Sequence, residues 1–175
     1  MMTHHDIEKA QQAWGEGIVA IATAHQNGED YVERARSHVE TLYAYGISDV
    51  LFKPTLAAVE QVRPTFDQAL SYFVASNEAC PEDKGFAIKG WTKVRFENAG
   101  TILRETMAIA MGNYYFTCAT TGGKTKVEYT FGYKKSLDGK VRIFLHHSSV
   151  PYTTGAAPAP VLEITEKEVL SAQVG

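Results

Sequence analysis

The sequence has little of what would place it outside the ordinary globular proteins. Its 175 residues contain two cysteines, Cys80 and Cys118. Two are too few for a disulfide-stapled scaffold or for a zinc knuckle, and they fit free thiols in a reducing compartment. No run of 18 apolar residues exists, so nothing is expected to span a bilayer. The N-terminus, Met-Met-Thr-His-His-Asp, lacks a basic start followed by an apolar stretch, and no secretory leader is read from it. The expectation is a cytoplasmic protein. Charge of one sign is also lacking. Seventeen Lys and Arg against twenty Asp and Glu leave −3, which gives no bulk attraction to nucleic acid or to an anionic membrane.

Familiar chemical motifs are missing as well. There is no His-Glu-x-x-His, no Cys-x-x-Cys and no EF-hand loop, so no metal ligand set is apparent. The phosphate-cradling Gly-x-Gly-x-x-Gly and P-loop are absent, as is Gly-x-Ser-x-Gly, and no cofactor is expected. What remains is 45% hydrophobic and 21% charged, a composition that builds one domain with a real core.

Apolar periodicity divides the chain into helices first and strands second. Ile7, Ala10, Trp14, Ile18 and Ile21 recur at helical spacing and predict a helix from about Asp6 to His25, although Gly15 and Gly17 each weaken it by roughly 1 kcal/mol relative to Ala. Asp30 with Glu33 caps a second helix, which Gly46 is expected to end. Asp49 to Pro54 reads as a short strand, with Leu56 to Val59 as its partner across a tight turn. Thr65 with Gln68 opens a third helix that stops near Asn77.

From Phe86 onward the period becomes two. Strands are expected over Trp91–Glu97, Thr101–Thr117, Lys126–Lys135 and Val141–Ser149, with turns at Asn98-Ala99-Gly100, Thr121-Gly122-Gly123 and Asp138-Gly139. Gly112 is a candidate bulge. Three helices followed by an antiparallel meander is an α+β pattern. A curved sheet wrapped around a helix makes a cone with a pocket at its open end. That cone is expected to occupy residues 1–152 as a single domain, with 153–175 forming a linker and a short C-terminal helix capped by Thr165 and Glu168. The segment 165–173 lines up with residues 3–11, which leaves open a chance likeness of two helix starts or the trace of a tandem repeat.

One segment stands out: His146-His147-Ser148-Ser149-Val150-Pro151 at the end of the last strand. Strict alternation puts Val141, Ile143, Leu145, His147 and Ser149 on one face and Arg142, Phe144, His146 and Ser148 on the other. The first face turns from aliphatic to polar, as a strand lining a cone would do toward its mouth. Adjacent histidines face opposite ways and cannot easily share a metal. Residue chemistry alone is equally served by a strand end with hydrogen-bonded serines.

The His-His-Ser-Ser-x-Pro run resembles the signature of the iota-class carbonic anhydrases. These are similar to the association domain of calcium/calmodulin-dependent kinase II, within the nuclear transport factor 2-like superfamily. Phe52-Lys53-Pro54-Thr55, Ser71-Tyr72-Phe73 and Asp138-Gly139-Lys140 agree with the same pattern, and the likeness extends over about residues 7 to 152. It implies reversible hydration of CO₂ to bicarbonate. The hydroxyl donors it implies are Thr55, Tyr72 and Ser149, and His147, on the same strand face as Ser149, is the candidate base or proton carrier. It also implies activity without a metal, and a homodimer formed through the other face of the long strands. Two alternatives remain at this stage. One is a non-catalytic oligomerisation module of the association-domain type. The other is a ketosteroid isomerase-like enzyme, which would need Glu97, Glu105 or Glu128 to point inward near a tyrosine.

Overall fold

The structure of the protein, a computed structural model, describes residues 1–154. The expected linker and C-terminal helix, and with them the repeat echo, lie outside the described residues from residue 155 onward. Helix α1 (His4–Asn27) starts earlier than its apolar stripe suggests, because Thr3 and Asp6 exchange hydrogen bonds as a capping box. Gly28 ends it in the left-handed conformation. Helix α2 (Tyr31–Leu42) is capped by Asp30, which accepts from the Glu33 amide. It ends before Gly46. Tyr43 turns extended and bridges Ile143, and the Ala44 amide donates to the Ile143 carbonyl at 2.9 Å, so the chain leaves the helix to join the sheet edge. Helix α3 (Phe66–Val74) carries the predicted Thr65–Gln68 box.

The sheet contains β1 (Leu51–Lys53), β2 (Trp91–Leu103), β3 (Met107–Cys118), β4 (Lys124–Lys135) and β5 (Val141–Ser149) in the order β1-β5-β4-β3-β2. All pairs are antiparallel except the edge pair β1–β5. Two sequence expectations fail here. Residues 98–100 are not a hairpin turn. β2 runs through them to Leu103 with a bulge between Asn98 and Gly100, and the chain reverses instead at residues 104–106. Gly112 permits this, since a Cβ there would lie 2.0 Å from the Glu97 carbonyl oxygen. Leu56 to Val59 is not a strand either. The amides of Ala58, Val59 and Glu60 all donate to the Glu82 carboxylate and pair with no neighbouring strand.

The concave face of the sheet holds the core against α1. Trp14 sits at its centre, with ring centroids of Tyr114, Phe131 and His146 within 5.9 Å. Gly17 is explained by close approach: a Cβ would sit 2.1 Å from Nδ1 of His38 on α2, so the two helices could not pack as they do.

Gly112→Ala is therefore expected to cost about 1–3 kcal/mol by forcing the β2 backbone away. Gly100→Ala, with no atom within 4 Å of its added methyl, should stay within about 0.5 kcal/mol. Urea unfolding of the two variants checks this.

Candidate active site

The last strand does not alternate strictly. Tyr133 pairs with Ile143 and Gly132 with Leu145, so Phe144 is an extra residue on β5. A bulge of this kind switches the parity of everything beyond it. Ile143, His146 and Ser148 consequently all point into the core, while Leu145, His147 and Ser149 take the outer face. This corrects the inner face read from strict alternation. His147 is exposed, and Ser149 donates to Glu128 at 2.9 Å. Both line a groove of about 500 Å³ on the outside of the sheet, with Asn113 and Thr130. The other two candidates lie on the inner side of the sheet. Thr55, two residues after β1, donates to Ser148 Oγ at 3.0 Å. Tyr72 of α3 is buried with its hydroxyl beside the Leu56 backbone amide, on the same loop as Thr55.

Four residues that sequence reasoning missed complete the cluster: Trp14, Tyr43, Tyr114 and His146. A signal for the bulge was present in Gly132, a lone glycine inside a strand pattern. A Cβ on Gly132 would press within 3.0 Å of the side chains of Leu145 and Phe144 at the bulge.

Hydrogen bonds join this cluster into a chain. Indole N–H only donates. Trp14 Nε1 donates to the Tyr43 hydroxyl at 3.0 Å, and the Tyr43 hydroxyl lies 2.8 Å from His146 Nδ1. The other ring nitrogen, Nε2, lies 3.3 Å from the Tyr114 hydroxyl, so both nitrogens of a neutral His146 have a phenol partner. Ser148 and Thr55 lie against the Tyr114 hydroxyl in turn. The chain runs from the core outward and ends on the hydroxyl cluster.

Burial keeps every member uncharged. It pushes the Tyr43, Tyr72 and Tyr114 phenols well above their ordinary range. It likewise holds His146 far below the usual imidazole value, with His147 and His38 adding repulsion. Phe52 stacks on His146 at 4.7 Å and Phe131 lies at 4.1 Å, so the imidazole is enclosed by rings. Among the described residues, no Lys or Arg hydrogen bonds to Thr55, Ser148 or Tyr114. Glu97, Glu105 and Glu128 are all exposed, so none provides the inward carboxylate that an isomerase of the ketosteroid type requires. Among the described residues, no three His, Cys, Asp or Glu side chains gather where an ion could be held. No helix among them is long and apolar enough to cross a membrane.

A curved, mostly antiparallel sheet packed against N-terminal helices is the fold of the nuclear transport factor 2-like proteins. An NTF2-like protein of unknown function from Pseudomonas putida KT2440 superposes with a TM-score of 0.54 at 14% identity, over 86% of this chain and 88% of that one. The family profile Metal-independent carbonic anhydrase matches residues 5–150. A metal-independent carbonic anhydrase of Nostoc sp. (strain PCC 7120) is 40% identical over 154 residues, 86% of this chain and 75% of the relative. The crystal structure of an iota-carbonic anhydrase from a cyanobacterium, complexed with bicarbonate, superposes with a TM-score of 0.84 at 38% identity, over 87% of this chain and 94% of that one. The chain belongs to the metal-independent carbonic anhydrase family.

The buried histidines generate a pH dependence of stability. Burial lowers His38 to about 3 and lowers His146 further from its ordinary value. Below about pH 6.5 the unfolded chain protonates these two groups and the folded chain does not. Stability is therefore fully present above about pH 6.5 and falls with acid, by up to about 1.4 kcal/mol per pH unit for each histidine. Urea midpoints measured between pH 7 and pH 5 should decline accordingly, and His38→Leu should flatten the slope.

Proposed function

We propose that the chain catalyses the reversible hydration of CO₂ to bicarbonate in the inner cluster, with Thr55, Tyr72 and Ser148 as the hydroxyls that hold the reacting oxygens. The observation that carries this reading is the 3.0 Å contact of Thr55 with Ser148, against which the buried Tyr114 hydroxyl lies, next to aromatic rings. CO₂ is apolar and suits such walls. When water attacks its carbon, negative charge develops on the CO₂ oxygens and the water surrenders a proton. Neutral donors already aimed at those oxygens stabilise that charge, each worth about 10²–10³ in rate. Tyr114, held by His146, lies against the same hydroxyls and fixes their place. In this reading His146 is a positioning residue, and the released proton passes to water at the mouth. The metal-independent family and the bicarbonate held by the cyanobacterial relative support this reading over a purely structural assembly module.

The residue choice departs from the sequence expectation at one point. Ser148 replaces Ser149, and His147 has no part in the chemistry, because the Phe144 bulge puts both on the outer face. Stopped-flow CO₂ hydration by chelator-treated protein tests the activity. Ser148→Ala is expected to lose about 10²–10³ in turnover, and Ser149→Ala to stay within about threefold of wild type. Activity that vanishes on chelation and returns with one added metal would overturn the metal-free mechanism. The reverse result in the serine pair would move the site to the outer groove.

The outer face also supports a homodimer. Ile102, Met107, Ile109 and Met111 are exposed on adjacent strands, an apolar patch that a second sheet would cover. Light scattering at micromolar concentration should then give twice the 19.3 kDa chain mass, and a monomer would exclude it.

A further inference from the structure

We propose that Glu82 is a positioning residue for the hydroxyl cluster: its carboxylate gathers the loop that carries Thr55 and ties that loop to the helix that carries Tyr72. The proposal rests on the reading of Thr55 and Tyr72 as substrate-holding hydroxyls. Its own basis is a set of contacts in which the Glu82 carboxylate itself touches none of the cluster's hydroxyls.

The contacts begin at the loop between Pro54 and Val62. The Arg63 amide donates to the Phe52 carbonyl at 2.7 Å and closes the loop at its base. Inside the loop, the amides of Ala58, Val59 and Glu60 point at one spot, and Glu82 fills it at 2.8–3.2 Å. Three consecutive amides converging on one point demand an anion or its equivalent. They also hold the Glu82 carboxyl below the usual carboxylate range, with Arg63 helping.

From Glu82 the contacts turn inward. Arg63 is fully buried and grips Asp83 with two bonds of 2.7 and 2.9 Å, reaching Glu82 at 3.3 Å. Asp83 accepts from Ser71 at 2.7 Å, and Ser71 is the residue next to Tyr72 on α3. On the other arm of the loop, Leu56 shares a small cavity wall with Tyr72 while Thr55 bonds to Ser148. One carboxylate is thus linked to both catalytic hydroxyls, through the loop on one side and through Arg63, Asp83 and Ser71 on the other. A cavity of about 80 Å³ beside Tyr72 is walled by the same residues, Leu56, Glu82 and Asp83 among them. These contacts therefore also shape the space next to that hydroxyl.

Displacing a reacting group by about 1 Å can cost about 10²-fold in rate. Removing the Glu82 carboxylate releases three amides and lets the Thr55 arm move on that scale. Glu82→Ala is expected to lower kcat about 10–10²-fold with little change in KM for CO₂. Glu82→Gln keeps one acceptor oxygen and the side-chain volume, so it should recover part of that loss. The test that separates positioning from general destabilisation is a double-mutant cycle. With Thr55→Ala already present, Glu82→Gln should lower kcat by a clearly smaller factor than in the wild-type background, because only its tie toward Tyr72 remains. Equal losses in both backgrounds would overturn the positioning role while leaving Thr55 catalytic. Wild-type turnover in Glu82→Gln and Glu82→Ala alike would overturn it as well. Wild-type turnover in Thr55→Ala alone would refute the catalytic reading of Thr55, and this proposal with it. Should Glu82→Ala fail to fold, the Gln variant decides the matter by the same cycle.

Discussion

A neutral imidazole sealed among aromatic rings is the group around which this molecule is arranged. His146 is 2% exposed, and an unpaired ring nitrogen there would carry the full cost of a buried polar atom. Both nitrogens are satisfied, and the partners come from distant parts of the chain. Tyr43 follows α2, Tyr114 stands on β3, and Trp14 of α1 completes the chain behind Tyr43. Placing α1 over the concave face, ending α2 at Leu42 and bulging β5 at Phe144 all serve that one packing problem. The small residue at Gly17 and the bulge opposite Gly112 let helix and strands come close enough to solve it.

The charge state of those groups determines what the site can do. Burial keeps the phenols protonated and the imidazole neutral. The chain ends on hydroxyls, which can turn an O–H toward a negative charge without a countercharge. In the proposed mechanism, bicarbonate held by such neutral donors faces no divalent ion to escape from. Charged groups are paired one layer out instead, where the buried Arg63 bonds both Glu82 and Asp83.

The two faces of the sheet divide the labour of the molecule. Beyond the Phe144 bulge, inner positions carry His146 and Ser148, and outer positions carry His147 and Ser149. Four consecutive polar residues are thereby split between a buried cluster and a surface groove. The exposed aliphatic side chains on the outer face of β2 and β3 give that surface a different use from the inner one.

Much of the architecture was legible in order along the chain. Helical spacing, the Thr65–Gln68 box, the Asp30 cap and period-two segments after Phe86 placed three helices before an antiparallel meander, because these signals act within a few residues. The His-His-Ser-Ser-x-Pro run pointed to the strand that carries the proposed site, and the resemblance it supports led to Thr55, which bonds Ser148, and to Tyr72, which is buried on α3. Other features were decided by contacts between residues far apart in sequence. Asn98-Ala99-Gly100 has the composition of a turn, yet it stays in a strand because Gly112, 12 residues beyond Gly100, leaves room for a bulge. Leu56 to Val59 has the composition of a strand, yet its amides are claimed by Glu82. Which serine faces inward turned on a single extra residue at Phe144, accommodated across the ladder by Gly132. Period two is a local rule, and the sequence by itself determined which residues alternate. Only the pairing of β5 with β4 decided where the alternation slips, since a bulge is stabilised by the partner strand and leaves no mark on the strand that contains it.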